Sequence, residues 1–358
     1  MAERFRFSAL SPNPKFTIAN FHSDLRYTYR KAVPLSQAPA ISYSFTAKSF
    51  AKMNVSPSKT QRLFQENTNY TLPTDAEEHA RLRLQHDALK AFMDGNNFLM
   101  PIRDEVNFQH ILDLCSGSGQ WVIDVAESLP NAEVHGIDLA LPTIQENSLI
   151  PPNAHFHRGN ITQPLPFSDH YFDYVQMRIV PSMPDRLNLL KEIGRVLRPG
   201  GYVAFLEPRP SLSGTRHART AALIEVDHLL VRSPHTPSVD AANSLDDKIW
   251  SLAPKIASML QEAVDNRGNA LFCDVSSSEF SVPIGSWPDD KKLQTIGTVM
   301  AEVQMGLIDA FGPKFIGLQL LTDVEFSSLR ARVVAEIEDL SLELQIAFVS
   351  AWGRKVTD

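Results

Sequence analysis

The stretch from Ile111 to Ala126, ILDLCSGSGQWVIDVA, limits what this chain can fold into more than any other. It opens as an apolar run, passes through a small-residue loop containing Gly117 and Gly119, and resumes with helical spacing. A buried strand that turns through glycines into a helix is the opening unit of an open α/β sheet. In such sheets the ligand sits beyond the carboxyl ends of the strands.

The following hundred residues keep the alternation. HILDLC, EVHGIDL, AHFHRGNI, FDYVQMRIV and YVAFLEP read as strands. QWVIDVAESL, a short piece at PTIQENSL, and DRLNLLKEIGRVL read as helices between them. This order predicts a parallel, doubly wound sheet. After Pro208 it changes. TRHARTAALIEVDHLLVR, LDDKIWSLAPKIASMLQEAV, DDKKLQTIGTVMAEVQMGLIDAF and TDVEFSSLRARVVAEIEDL read as helices, while CDVSSSEFSVPIG and ELQIAFVSAWGRK read as strands. Upstream, Pro73, Thr74 and Asp75 followed by Glu77 and Glu78 form a helix start signal, with Gly95 as a stop. Leu82, Leu89 and Phe92 are spaced for one buried face of that helix.

The expected architecture is therefore α/β, with a doubly wound, mostly parallel seven-stranded sheet of Rossmann-like type, a helical cap insertion and an N-terminal extension. The boundaries fall at 1–66 for a basic, irregular extension and 67–210 for the nucleotide-binding core. Residues 211–342 form a helical cap and substrate region with one late strand, and 343–358 the final strand of the sheet.

Bulk properties remove some function classes. The 358 residues are 43% hydrophobic, enough for a real core. The net charge of −7 argues against a nucleic-acid partner. Residues 1–66 depart from this balance with ten basic residues against Glu3, Asp24 and Glu66, and read as a solvated arm on an acidic body. Two cysteines, Cys115 and Cys273, give neither a disulfide framework nor metal-ligand spacing, so no metal is expected. No apolar run approaches the roughly 18 residues that span a bilayer, so no membrane partner is expected. The cytoplasm is the expected compartment, with the nucleus as the second.

Three ligands compete for the glycine loop. A nucleoside triphosphate would need G-x-x-x-x-G-K-[ST]; no lysine follows Gly119. A nicotinamide dinucleotide would need a third glycine where Val122 stands, although Asp138 at the end of the second strand suits a ribose. S-adenosylmethionine has no pyrophosphate to cradle. It would use Asp113 toward its amino acid part, Asp138 for both ribose hydroxyls, Asn160 for the adenine amino group, and Leu139 and Ile161 as a sandwich around the adenine. The last two readings remain open on these residues.

The ordered series YTLPTDAEEHARLRLQH, ILDLCSGSGQWVIDVAESLPNAEVHGIDLA, PPNAHFHRGNIT, FDYVQMRIV and RVLRPGGYVAFLEP resembles a class I S-adenosylmethionine-dependent methyltransferase. More narrowly it resembles the fungal secondary-metabolism, LaeA-like family, with a fainter match at VPIGSWPDDKKLQTIG and the terminal strand. The resemblance implies S-adenosylmethionine as cofactor, with Asp113, Cys115, Gly117, Gly119, Asp138, Leu139, Asn160 and Ile161 around it. It also implies that the helix after Tyr70 covers the cofactor end of the sheet. Two departures stand out. Cys115 replaces the first loop glycine, which would narrow the pocket, and Asn160 replaces the usual acid after the third strand.

Other residues carry competing readings. Tyr70 and Arg178 are candidates to touch cofactor or substrate. Arg81 reads equally as an ion pair with Glu78, and Trp121 reads as packing. His86, His217 and His228 are weak candidates for a base. Methyl transfer from a sulfonium mainly requires alignment, so no catalytic dyad is expected and the catalytic residues stay unknown. The resemblance implies O- or N-methylation of a small-molecule acceptor in secondary metabolite biosynthesis. Two alternatives are a nuclear regulator acting through protein partners, and a fold relative that binds or rearranges a metabolite without methyl transfer.

Overall fold

The computed structural model describes residues 62–65, 70, 72–100, 107–143, 150–180, 186–209, 213–214, 221–232, 253 and 255–357. The extension up to residue 61, most of the short helix expected at 142–149, residues 245–250 of another expected helix, and His217 lie outside the described residues.

Within them, eight strands form one sheet. These are β1 (His110–Leu114), β2 (Glu133–Asp138), β3 (Ala154–Arg158), β4 (Phe172–Arg178), β5 (Leu197–Pro208), β6 (Ser213–Gly214), β7 (Phe272–Pro283) and β8 (Leu344–Lys355). The order β3-β2-β1-β4-β5 is parallel throughout. β8 then lies antiparallel beside β5, and pairs antiparallel with β6 and β7 as well. The expected sheet is corrected in two respects. The two-residue β6 adds an eighth strand, and the late strands make the sheet mixed. The second follows from the connections. One helix returns the chain to the end where the preceding strand began, which gives a parallel neighbour. Between β7 and β8 stand two helices, α6 (Lys291–Gly317) and α7 (Asp323–Glu338). A pair brings the chain back to the end where β7 finished, so β8 runs the other way.

Strand periodicity splits the core into two layers. Ile111, Val134, Tyr174 and Ala204 meet Trp121, Val122 and Val125 of α2 (Gln120–Ser128) on one face. Leu112, Leu114, Val175, Met177 and Phe205 meet Leu189, Leu190 and Ile193 of α3 (Arg186–Val196) and Ile256 and Leu260 of α5 (Ile256–Glu262) on the other. Both faces are covered, which is why β1 and β4 are mainly apolar and almost wholly buried, interrupted within the strands by Asp113, Asp173 and Gln176. The Arg198–Gly201 segment, between the helix and the strand read from the sequence, is part of β5. Gly200 sits at φ +76°, and pairing with β4 resumes at Tyr202 after a register shift.

α1 (Ala76–Phe92) begins at Asp75, whose carboxylate accepts from Glu78 N at 3.0 Å. It ends where Gly95, at φ +87°, donates its N–H to Lys90 O. α4 (Ala221–Arg232), α6 and α7 build the cap, the last held by a Thr322/Glu325 capping box.

Two glycines fix the joint between loop and sheet. Gly119 stands at φ +72°, and a Cβ there would lie 2.7 Å from the Phe156 ring. A Cβ on Gly136 of β2 would lie 2.9 Å from Val122 Cγ2. Close helix–strand approach, which a dinucleotide fold obtains from a third loop glycine, is here supplied from the strand. Gly119→Ala should cost about 2–4 kcal/mol, the sum of left-handed strain and overpacking. Denaturant unfolding should show a lower midpoint at unchanged slope.

Candidate cofactor and acceptor site

The expected site residues gather at the carboxyl edge of the parallel strands. Asp138 ends β2. Its Oδ2 accepts from Gly117 N at 2.9 Å and its Oδ1 from Ala140 N at 3.2 Å, so one carboxylate shapes the glycine loop and its own turn. Burial raises its pKa, partly offset by those backbone donors. Gly159 N bonds Asp138 O at 2.8 Å, bringing the loop after β3 alongside.

Cys115 occupies the first loop position at φ +59°. A left-handed backbone explains why glycine is the natural occupant. The thiol side packs against the apolar cluster of Leu114, Ile137 and Met177, and burial raises its pKa well above the usual range. Asn160 Oδ1 accepts from Thr162 N at 3.0 Å and from the Thr162 hydroxyl at 2.8 Å, so both lone pairs of that carbonyl are engaged. Ile161 is buried within the same cluster, and Leu139 is half-buried with its carbonyl accepting from Arg158 Nε.

Asp113, 2% exposed, accepts from Gln176 Nε2 at 3.1 Å. Burial lifts its pKa to about 6, against the opposing pull of Arg178. Arg178 ends β4 with its guanidinium 5.7 Å from the Trp121 ring centre. Its two terminal nitrogens both face His86 Nδ1 at 3.4 Å, while its buried Nε has no partner among the described residues. His86 in turn meets Asp124 Oδ2 through Nε2 at 3.0 Å, and Lys90 and Gln120 also bond Asp124. Burial holds His86 neutral, at about 4, with its proton on Nε2 toward Asp124. It is thus a structural acceptor for Arg178 rather than a base. His228 is exposed on α4.

α1 lies over the glycine loop as the resemblance implied. A Cβ on Gly117 would meet Leu82 Cδ1 at 3.0 Å. His79 Nδ1 accepts from Thr143 N at 2.9 Å, tying the helix to the chain beyond β2. Arg81 and Glu78 form a buried bidentate pair, so the ion-pair reading of Arg81 holds. Tyr70 is half-buried at the start of this cover; burial and the neighbouring Asp138 and Glu78 carboxylates raise its phenol well above its ordinary pKa.

Residues 111–201 match the family model of a methyltransferase domain. S-adenosylmethionine is the cofactor of this domain, and the open nicotinamide reading falls away. The chain is 27% identical over 255 residues to methyltransferase str2 of Strobilurus tenacellus, covering 68% of this chain and 82% of that one. It is 26% identical over 248 residues to methyltransferase pytC of Aspergillus terreus, covering 68% and 69%. Among solved structures, phosphoethanolamine N-methyltransferase 2 of Haemonchus contortus, in complex with S-adenosyl-L-methionine, aligns at a TM-score of 0.39. The two are 15% identical, and the alignment covers 79% of this chain and 60% of that one.

Beside the loop opens a cavity. Tyr70, Leu82 and Gln85 line it on the side of α1 and the glycine loop; Val226, Leu307, Phe311 and Ile346 supply apolar walls from α4, α6 and β8. Arg209 at its edge is held bidentately by Glu279 of β7. Glu207 lines it from the end of β5, 1% exposed, and was not singled out from the sequence. The available signal was an acid closing the apolar run YVAFLEP. Among the described residues no group of three His, Cys, Asp or Glu is placed to hold a metal ion, and no helix is long and apolar enough to cross a membrane.

Proposed function

We propose that this chain transfers a methyl group from S-adenosylmethionine to the oxygen or nitrogen of a small-molecule acceptor in fungal secondary metabolism. The observation that carries this reading is the shared wall. Leu82 covers Gly117 of the cofactor loop and also lines the cavity. A molecule in that cavity therefore stands against the loop, which is the proximity an in-line displacement needs. The relatives from Strobilurus tenacellus and Aspergillus terreus support the fungal setting.

The cofactor would supply an electrophilic methyl on a positively charged sulfur. Asp138 would take the ribose hydroxyls. Leu139 and Ile161 would flank the adenine, and Asn160 would reach its amino group once the Thr162 hydroxyl rotates away. Asp113 and Arg178 would hold the ammonium and carboxylate of the amino acid part. Arg178 Nε, buried without a partner, fits an incoming anion. The apolar cavity would exclude water and orient the acceptor.

The test is incubation of the full chain with S-[methyl-3H]adenosylmethionine and separate pools of phenols, amines and carboxylic acids. Cofactor-dependent label in an extractable product supports the reading. Binding of S-adenosylhomocysteine with no labelled product from any pool overturns the small-molecule assignment and favours the regulatory or non-transferring alternative.

A further inference from the structure

The cavity contains one buried acid that the cofactor does not use. Glu207 sits at the end of β5, next to the end of β4, where Arg178 pairs with Leu206. The backbone beyond Arg178 is bent to meet it. Ile179 adopts φ +54°, a conformation a β-branched residue avoids, and its N–H donates to Leu206 O at 2.7 Å. That bend points the next N–H, of Val180, at Glu207 Oε1, 3.2 Å away. Strain of this kind persists where the surroundings enforce it, and it clusters at functional sites. Here its product is a carboxyl fixed in one orientation at the wall of an apolar cavity.

We propose that Glu207 takes the acceptor's proton, and that the acceptor is a hydroxyl compound of phenol or enol type lying flat in the apolar cavity. The inference rests on the methyltransferase reading above. The step balances as follows. The acceptor O–H proton passes to the Glu207 carboxylate. The oxygen lone pair forms the new O–CH3 bond as the S–CH3 bond breaks, and that bond's electron pair stays on sulfur, leaving a neutral thioether. Glu207 then releases its proton to solvent as the ether leaves.

The surroundings suit this role. Burial pushes Glu207 up to about 8, while the Val180 N–H and Arg186 of α3 pull the other way. Arg186 is itself lowered to about 10 by burial, and its Nε has no partner among the described residues. The other charged groups lining the cavity are Arg81, paired with Glu78, Arg209, paired with Glu279, and Asp227 of α4. A base near 8 is well matched to a phenol near 10, since general bases work best when poised close to the working pH. A carboxylic acid acceptor is already ionised at neutral pH and needs no base. An amine attacks through the lone pair of its neutral form, so it needs no carboxylate to become nucleophilic.

The labelling pools decide the class, and 2-naphthol serves as the probe for the residue. Expected is label in phenolic ethers. Glu207→Gln should lower kcat about 100-fold or more while KM for the phenol moves less than about 3-fold. The dissociation constant for S-adenosylhomocysteine should stay unchanged. Wild-type kcat/KM should rise with pH to a plateau through about 8, because the active form is the carboxylate, and Glu207→Gln should lose that limb. Glu207→Asp should recover part of the rate. Independently of turnover, 13C-glutamate NMR should show one carboxyl titrating near 8, absent from Glu207→Gln and shifted by 2-naphthol. Label confined to amines or acids, or a Glu207→Gln variant with wild-type kcat and pH profile, overturns the proposal. Label in no pool, with S-adenosylhomocysteine still bound in an Asp138-dependent way, overturns it and leaves the cofactor site standing. Loss of S-adenosylhomocysteine binding by folded wild type overturns the cofactor site first.

Discussion

Asp138→Ala should weaken S-adenosylhomocysteine binding by about 150- to 5,000-fold in calorimetric titration. The figure follows from two charge-assisted hydrogen bonds to the ribose, worth about 1.5–3 kcal/mol each and together roughly 3–5 kcal/mol. The same carboxylate orders the loop through Gly117 N and Ala140 N, so the substitution removes both a ligand contact and part of the loop's shape. Asp138→Asn separates the two. The amide oxygen can still accept from Gly117 N but carries no charge, so a loss nearer tenfold is expected. Stability of the ligand-free fold should move much less. The folded-state pKa of Asp138 is raised, so its ionisation opposes folding as pH climbs through the unfolded value toward neutrality. Removing it relieves that cost while losing two backbone hydrogen bonds, for a net change within about 1 kcal/mol. Wild-type affinity in Asp138→Ala would place the ribose elsewhere.

What the sequence reveals depends on where the physical signal is stored. Strands β1, β4 and β5 were legible because most of their residues are buried, and burial writes itself as mainly apolar stretches, while the less buried β2 and β3 were legible from their place in the strand–helix alternation. Gly117, Gly119 and Asp138 were legible because a tight loop and an acid at a strand end have few other uses. β6 was not; two residues carry no periodicity. α1 shows the opposite difficulty. Glu78, His79, Arg81, Gln85 and His86 are all buried on it, so its apolar pattern understates how deeply it packs. Polar residues are inside because they pair with one another and with the loops they cover. The role of His86 was hidden for that reason: a histidine in a helix says nothing of the Asp124 behind it or the Arg178 in front. Glu207 escaped because its meaning comes from residues on β4, α3 and α4, distant in sequence, which together remove water from it.

The second large effect concerns Arg178. Its guanidinium is enclosed, lies over the Trp121 ring, and among the described residues is hydrogen-bonded only to the lone pair of a neutral histidine. The carboxylate acting on it most strongly is Asp113, whose Oδ1 is taken by Gln176 and whose own pKa is raised to about 6. A buried cation so poorly neutralised is costly for the free fold and favourable for an anion that arrives later. The amino acid part of the cofactor brings a carboxylate and an ammonium together, which matches the Arg178 and Asp113 pair in sign. 5′-Methylthioadenosine lacks that part and keeps the adenosine, so it isolates the term. Wild type should prefer S-adenosylhomocysteine over 5′-methylthioadenosine, and Arg178→Gln should reduce that preference by about 30-fold or more, as for a desolvated charge pair worth roughly 2–5 kcal/mol. Affinity for 5′-methylthioadenosine itself should stay within about 3-fold, since ribose and adenine contacts are untouched. Equal weakening of both ligands would mean that Arg178 only supports the loop through His86 and α1. An unchanged preference would move the amino acid subsite away from β4 altogether.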